Sequence, residues 1–131
     1  MGIPGVILAE LRRIIGTGDG QLEWLDLIRW SHAQNISIPE FYNDIAEAVA
    51  RSYQGREISY IEADGIVNKL YLNWVLHEQC KTPIPPWPDL FLDIYLAFDG
   101  GEYRRTDAKE HDPIVDCTDP AVEAILSRLD S

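Results

Sequence analysis

Apolar residues recur every three or four positions through most of this chain, and glycine or proline breaks divide the pattern into helical segments. Ile3, Ile7, Leu11 and Ile14/Ile15 stripe one side of a helix over 3–15, with Glu10, Arg12 and Arg13 turned away. Gly16-Thr17-Gly18-Asp19-Gly20 ends it, because three glycines in five residues disfavour continuation. A second helix over 21–32 carries Leu22, Leu25 and Ile28, widened by Trp24, Leu27 and Trp30, with Glu23, Asp26 and Arg29 on its polar side. A stripe that broad calls for contact on two sides, by core and by partner.

Ser37-Ile38-Pro39-Glu40 has the form of a capping box and opens a third helix running to Tyr53, ended by Gln54-Gly55. Phe41, Ile45, Ala48 and Val49 form its buried side, flanked by Tyr42, Ala46 and Tyr53. Its outward face carries Glu40, Asn43, Asp44, Glu47 and Arg51, where Glu47 and Arg51 attract but Glu40 and Asp44 repel. Ser59-Tyr60-Ile61-Glu62 repeats the capping pattern and starts the longest helix, over 59–80, with Ala63, Ile66, Val67, Leu70, Tyr71, Trp74 and Val75 apolar. Gly65 lies inside it at a cost of about 1 kcal/mol relative to alanine, which would move the start beyond Gly65.

Four prolines among residues 83–88 make the 82–88 segment an extended connector. Over 89–98, Leu90, Phe91, Ile94, Tyr95 and Phe98 fit a helix ended by Gly100, and the competing reading is a hairpin at 90–105. The helix is preferred because Asp93 would be buried in a central strand. Residues 106–118 read as a polar surface loop, and Asp119-Pro120 as the cap and first position of a last helix over 121–129. The expectation is an all-α fold of five to six helices in a single domain over 1–131, the length at which one core suffices without disulfide or metal.

Charge changes the picture most. Twenty-two acids against eleven bases give a formal charge of −11, and residues 99–131 hold nine of those acids. A field of that sign repels nucleic acid and anionic membranes and draws in basic surfaces. No apolar run is long enough to span a membrane, and the first residues lack the basic start of a secretory signal, so a cytoplasmic location is expected. Cys80 and Cys117 read as free thiols of a reducing compartment.

Candidate chemistry adds little. His77, Cys80, His111 and Cys117 have the ligand types for zinc but irregular spacing. Asp107, Glu110, Asp112, Asp116 and Asp119 lack the ordered ligands and internal glycine of a calcium loop. Gly16, Gly18 and Gly20 follow a helix, where a phosphate cradle follows a strand. Glu62 with Asp64, or His77 with Glu78, are the only close acid–base groupings, and no nucleophile motif accompanies them. No catalytic residue, metal or cofactor is assigned.

What remains is a pairing of aromatics with acids, the composition of interfaces that meet basic proteins. The candidate partner-binding residues are Glu23, Asp26, Trp30, Glu40, Asp44, Glu47, Asp99, Glu102, Asp107, Glu110, Asp112 and Asp116. The expected partner is a basic protein such as a toxin domain, with nucleases among the candidates. In physical character, though in no motif, the chain is like bacterial immunity proteins. A carboxylate enzyme and a homo-oligomeric helical module are the rival readings. Two acids with raised pKa converging in a concave pocket would mark the first, a large self-complementary apolar face the second, and a coherent negative patch with no deep pocket the binding reading.

Overall fold

The computed structural model describes residues 5–17, 21–102 and 112–131. Among them there is no strand, and the fold is all-α. Its helices are α1 (Gly5–Thr17), α2 (Trp24–Ala33), α3 (Ile38–Gln54), α4 (Tyr60–His77), α5 (Asp89–Gly101) and α6 (Asp119–Leu129). A π-helical turn, Ile114–Thr118, leads straight into α6.

The centre is made by α3, α4 and α5, with α1 laid on α4, α2 against α3, and α6 closing over α3 and α5. Phe41, Tyr42, Ile45 and Val49 of α3 meet Ile66, Val67, Leu70 and Trp74 of α4 and Phe91, Ile94 and Phe98 of α5, all fully buried. Ala48, expected inside, is only half-buried, and Tyr42 takes the inner position instead. Its ring meets Trp74 and Phe91 edge-on at 5.3 and 5.0 Å, and its hydroxyl donates to the Leu70 carbonyl at 2.8 Å. A tyrosine can be buried there because its polar end finds an acceptor.

The Ser59 cap forms as expected. Its hydroxyl accepts from the Glu62 amide and the Glu62 carboxylate accepts from the Ser59 amide, both at 3.1 Å. At Ser37 only half of the box forms. The hydroxyl accepts from the Glu40 amide at 3.3 Å, while the Glu40 carboxylate takes the Ser37 hydroxyl at 3.2 Å rather than the backbone. In α5 the preceding Pro88 offers no side-chain cap, and Asn43 of α3 supplies one, accepting from the Phe91 amide at 3.0 Å.

Several expectations need correction. The second helix begins at Trp24, not 21, with Glu23 at its cap. Gly16 lies within α1. Gly65 belongs inside α4, because a Cβ there would come within 2.9 Å of Ile15 Cγ2, so the glycine permits close approach of α1. The hairpin alternative fails over its described part: 89–101 is one helix, and Asp93 points to solvent. The expected surface loop is helical from Pro113 onward, and Thr118 is fully buried, donating to the Ala97 carbonyl at 2.7 Å. Asp119 is accordingly a helical residue, not a cap. The 82–88 connector carries no helix but bends at Thr82 and Pro83 rather than running extended throughout, and it is anchored by Trp87, which stacks on Tyr71 at 5.1 Å.

Candidate functional site

Basic residues are few, and where they sit decides which acids are left to face a partner. Arg12 pairs with Glu62, Arg13 with Glu10, Arg29 with Asp26, Lys81 with Glu78, and Arg51 with both Glu47 and Asp130. The partner-binding candidates therefore divide. Asp26 holds the Glu23 amide at 3.2 Å and Arg29 at 2.9 Å, so its charge is engaged at the start of α2. Trp30 lies half-buried on Phe41, its rings 6.3 Å apart, with Arg29 5.9 Å above it. Glu40, Asp44 and Glu47 share the outer side of α3. Burial, then the neighbouring Glu47 and Glu40, raises the Asp44 carboxyl above its ordinary range. Asp107 and Glu110 lie outside the described residues.

A denser grouping forms where the end of α3, the start of α4, the end of α5 and the start of α6 come together. Tyr53 and Tyr60 stand at its middle, edge to face at 6.4 Å, with Phe98 beneath both. The Tyr53 hydroxyl donates to Asp119 Oδ1 at 2.5 Å, across 66 residues of sequence. The Tyr60 hydroxyl donates to the Phe98 carbonyl at 2.6 Å. Burial pushes both phenols up, reinforced at Tyr53 by Asp119 and Asp112 and at Tyr60 by Asp64, Glu102 and Asp99.

Around Tyr60, Asp64 of α4 meets Glu102 just after α5. Asp64 is pushed up to about 7, first by burial, then by the charge of Glu102 and the hydrogen bond between the two carboxyls. Both Asp99 and Glu102 sit at the C-terminal end of α5, where the helix dipole already adds negative charge and where the last turn has no base. Around Tyr53, a cavity of about 670 Å³ opens between the α3–α4 turn and α6. Among the described residues, Glu57, Asp119 and Glu123 line it together with both tyrosines, Val122 and a single base, Arg56. Arg56 holds a left-handed backbone at φ 62°, a conformation that costs a non-glycine residue on the order of 1 kcal/mol and concentrates at functional sites.

Asp99 and Glu102 are thus brought together at one end of the fold, and Asp112 stands near Tyr53, its carboxylate also accepting from the Ile114 amide at 3.0 Å. Asp116 lies exposed on the π-helical turn. The sequence reading left out Tyr53, Glu57, Tyr60, Asp64, Asp119 and Glu123 as a group. Its one visible trace is the pair of tyrosines bracketing Gln54-Gly55-Arg56-Glu57-Ile58-Ser59 at a helix–helix corner.

Among the described residues, no group of three or more His, Cys, Asp and Glu could hold a metal ion. The His77 ring stacks flat on Trp24 at 4.8 Å, and Cys80 lies in the turn after α4, which ends at His77 rather than at the expected 80, with its Sγ facing the Leu76 and His77 carbonyls. His111 lies outside the described residues. No described helix is long and apolar enough to cross a membrane. No family model matches the chain, and neither a curated protein nor a solved structure does.

Proposed function

We propose that the chain is a small acidic protein-binding module that engages a basic protein, acting as an immunity or inhibitor protein in a bacterial cytoplasm, with a basic toxin domain such as a nuclease as its partner. The supporting observation is the grouping of Glu57, Asp64, Asp99, Glu102, Asp112, Asp119 and Glu123 around Tyr53 and Tyr60, with Arg56 the one base among the described residues that line the cavity beside Tyr53. Like charges gathered on one end of a fold cost stability, and a partner that supplies cations recovers it. Carboxylates give steering and register, and tyrosine supplies rigid contact area at small entropic cost. The same field disfavours nucleic acid as a direct ligand.

One observation favours a carboxylate enzyme: Asp64, at about 7, lines a second hollow of about 460 Å³ with Ile14, Ile15, Tyr60 and Asn68. Glu102 is not on that wall, so a single carboxyl faces the space, and acid–base hydrolysis of the paired-carboxylate kind uses two. The larger cavity, lined by Glu57, Asp119 and Glu123, departs from the pocket-free patch expected of a binder, and binding is preferred on the grouping of these acids with tyrosines.

The test is affinity capture at low and moderate salt, comparing the natural chain with a variant carrying Glu57→Gln, Asp99→Asn, Glu102→Gln and Glu123→Gln. The reading predicts a retained protein of high isoelectric point that is lost from the variant and weakened by salt. Retention of nothing at either salt, or equal retention by the variant, would overturn it.

A further inference from the structure

The cavity between the α3–α4 turn and α6 has a chemistry narrower than a general acidic surface. Asp119 and Glu123 are one helical turn apart on α6, on the same ridge, and Glu57 borders the cavity from the α3–α4 turn. Carboxylates at i,i+4 repel each other, and a cation set between them removes that repulsion. Tyr53 and Tyr60 contribute ring surfaces to the same space, and Ile58, Ile114 and Val122 make part of its wall apolar. Tyr53 is held in place by its hydrogen bond to Asp119, so the aromatic wall and the carboxylate are positioned as one unit.

We propose that this cavity receives an arginine side chain presented by the basic partner. The inference rests on the reading of the chain as a binder of basic proteins and adds where, and by which side chain, contact is centred. Guanidinium fits the lining better than ammonium. Its planar fork can take two carboxylate oxygens at once, its faces stack on tyrosine, and its three-carbon stem suits the apolar wall. A volume of about 670 Å³ is within the range of small-ligand sites and holds one such side chain with its neighbouring backbone. Arg56 lines the same cavity and is exposed to solvent.

The experiment is an NMR titration of the full chain with acetyl-arginine-methylamide, using the uncharged citrulline analogue as control. The expected result is saturable shifts at Tyr53, Tyr60, Val122 and Glu123, with none from the citrulline compound. A variant carrying both Glu57→Gln and Glu123→Gln, exposed positions whose replacement leaves the core untouched, should bind the arginine probe about tenfold more weakly. Three results would overturn the proposal: no saturable shift at these residues, an equal response to the citrulline analogue, or unchanged affinity in the double variant. Capture of a basic protein separates this failure from that of the broader reading. If capture survives Glu57→Gln/Glu123→Gln but is lost on Asp99→Asn/Glu102→Gln, the arginine cavity is wrong while the binding function stands.

Discussion

The two ends of α4, about 26 Å apart at 1.5 Å per residue, are built on opposite principles. At the C-terminal end Trp74 is fully buried against Tyr42 and Trp87, and the Gln79 amide, once turned so that its oxygen faces the two indoles, accepts from the N–H of both Trp74 and Trp87 at 3.2 Å. Trp87, Tyr71 and Tyr95 continue outward as a stack, with Tyr71 and Tyr95 4.2 Å apart and nearly parallel. At the N-terminal end the aromatics are Tyr53 and Tyr60, each spending its hydroxyl on one acceptor, surrounded by carboxylates that repel one another. The first end is arranged for stability. The second forgoes some of it, which is the usual signature of a surface shaped for contact rather than for the fold.

Removing the indole should give the largest effect. Trp74→Ala is expected to cost about 4 kcal/mol in denaturant unfolding, from lost burial and an unfilled cavity. A loss under about 1 kcal/mol would mean that this end is not the better packed one. At the other end, Gly101 lies against Tyr60, and a Cβ there would come within 2.8 Å of its ring. Gly101→Ala should therefore cost about 2 kcal/mol and shift the Tyr60 resonances, since the added Cβ meets Thr118 Oγ1 first and Thr118 is fully buried.

The smallest effect is also the one with an unusual sign. Asp64 holds its proton up to about pH 7 in the folded chain, against 3.8 ordinarily. The native state therefore binds a proton that the unfolded chain has released between those values. The stability this provides is complete below about pH 4 and is lost as pH rises through about 7. Asp64→Asn keeps a donor toward Glu102 at every pH, so the variant should gain on the natural chain across that window. Above pH 7 the gain should be about 1 kcal/mol, a figure reduced for the solvent that screens this site. Thermal unfolding of both chains as a function of pH measures it, and a constant gap would show that the pair does not share a proton.

What was legible in the sequence was local. The Ser59–Glu62 box spans four residues, and the 89–101 helix follows from its own apolar spacing and the need of Asp93 for water. Local signals failed where a partner distant in sequence decides the outcome. Gly65 reads as a helix breaker until Ile15 of α1 is seen against it, and Asn43 reads as a surface residue until it caps a helix 48 positions later. The site is the extreme case. Acidity located it only as an excess over 99–131, while its shape depends on Asp119 meeting Tyr53 and Glu102 meeting Asp64, pairings that no periodicity within one helix encodes. Exposed Leu72 and Leu76 were likewise absent from any surface expectation, and Leu25 entered only as part of a stripe shared by core and partner, because a stripe count does not tell which side of α2 or α4 the core takes.

The most direct test of which end meets the partner is the hydrogen-exchange footprint of the chain bound to the basic protein it captures. The account predicts new protection over 53–60, 98–102 and 119–123, around Tyr53 and Tyr60. Protection confined instead to 22–28 and 72–77, where Leu25, Leu72 and Leu76 are exposed, would contradict it.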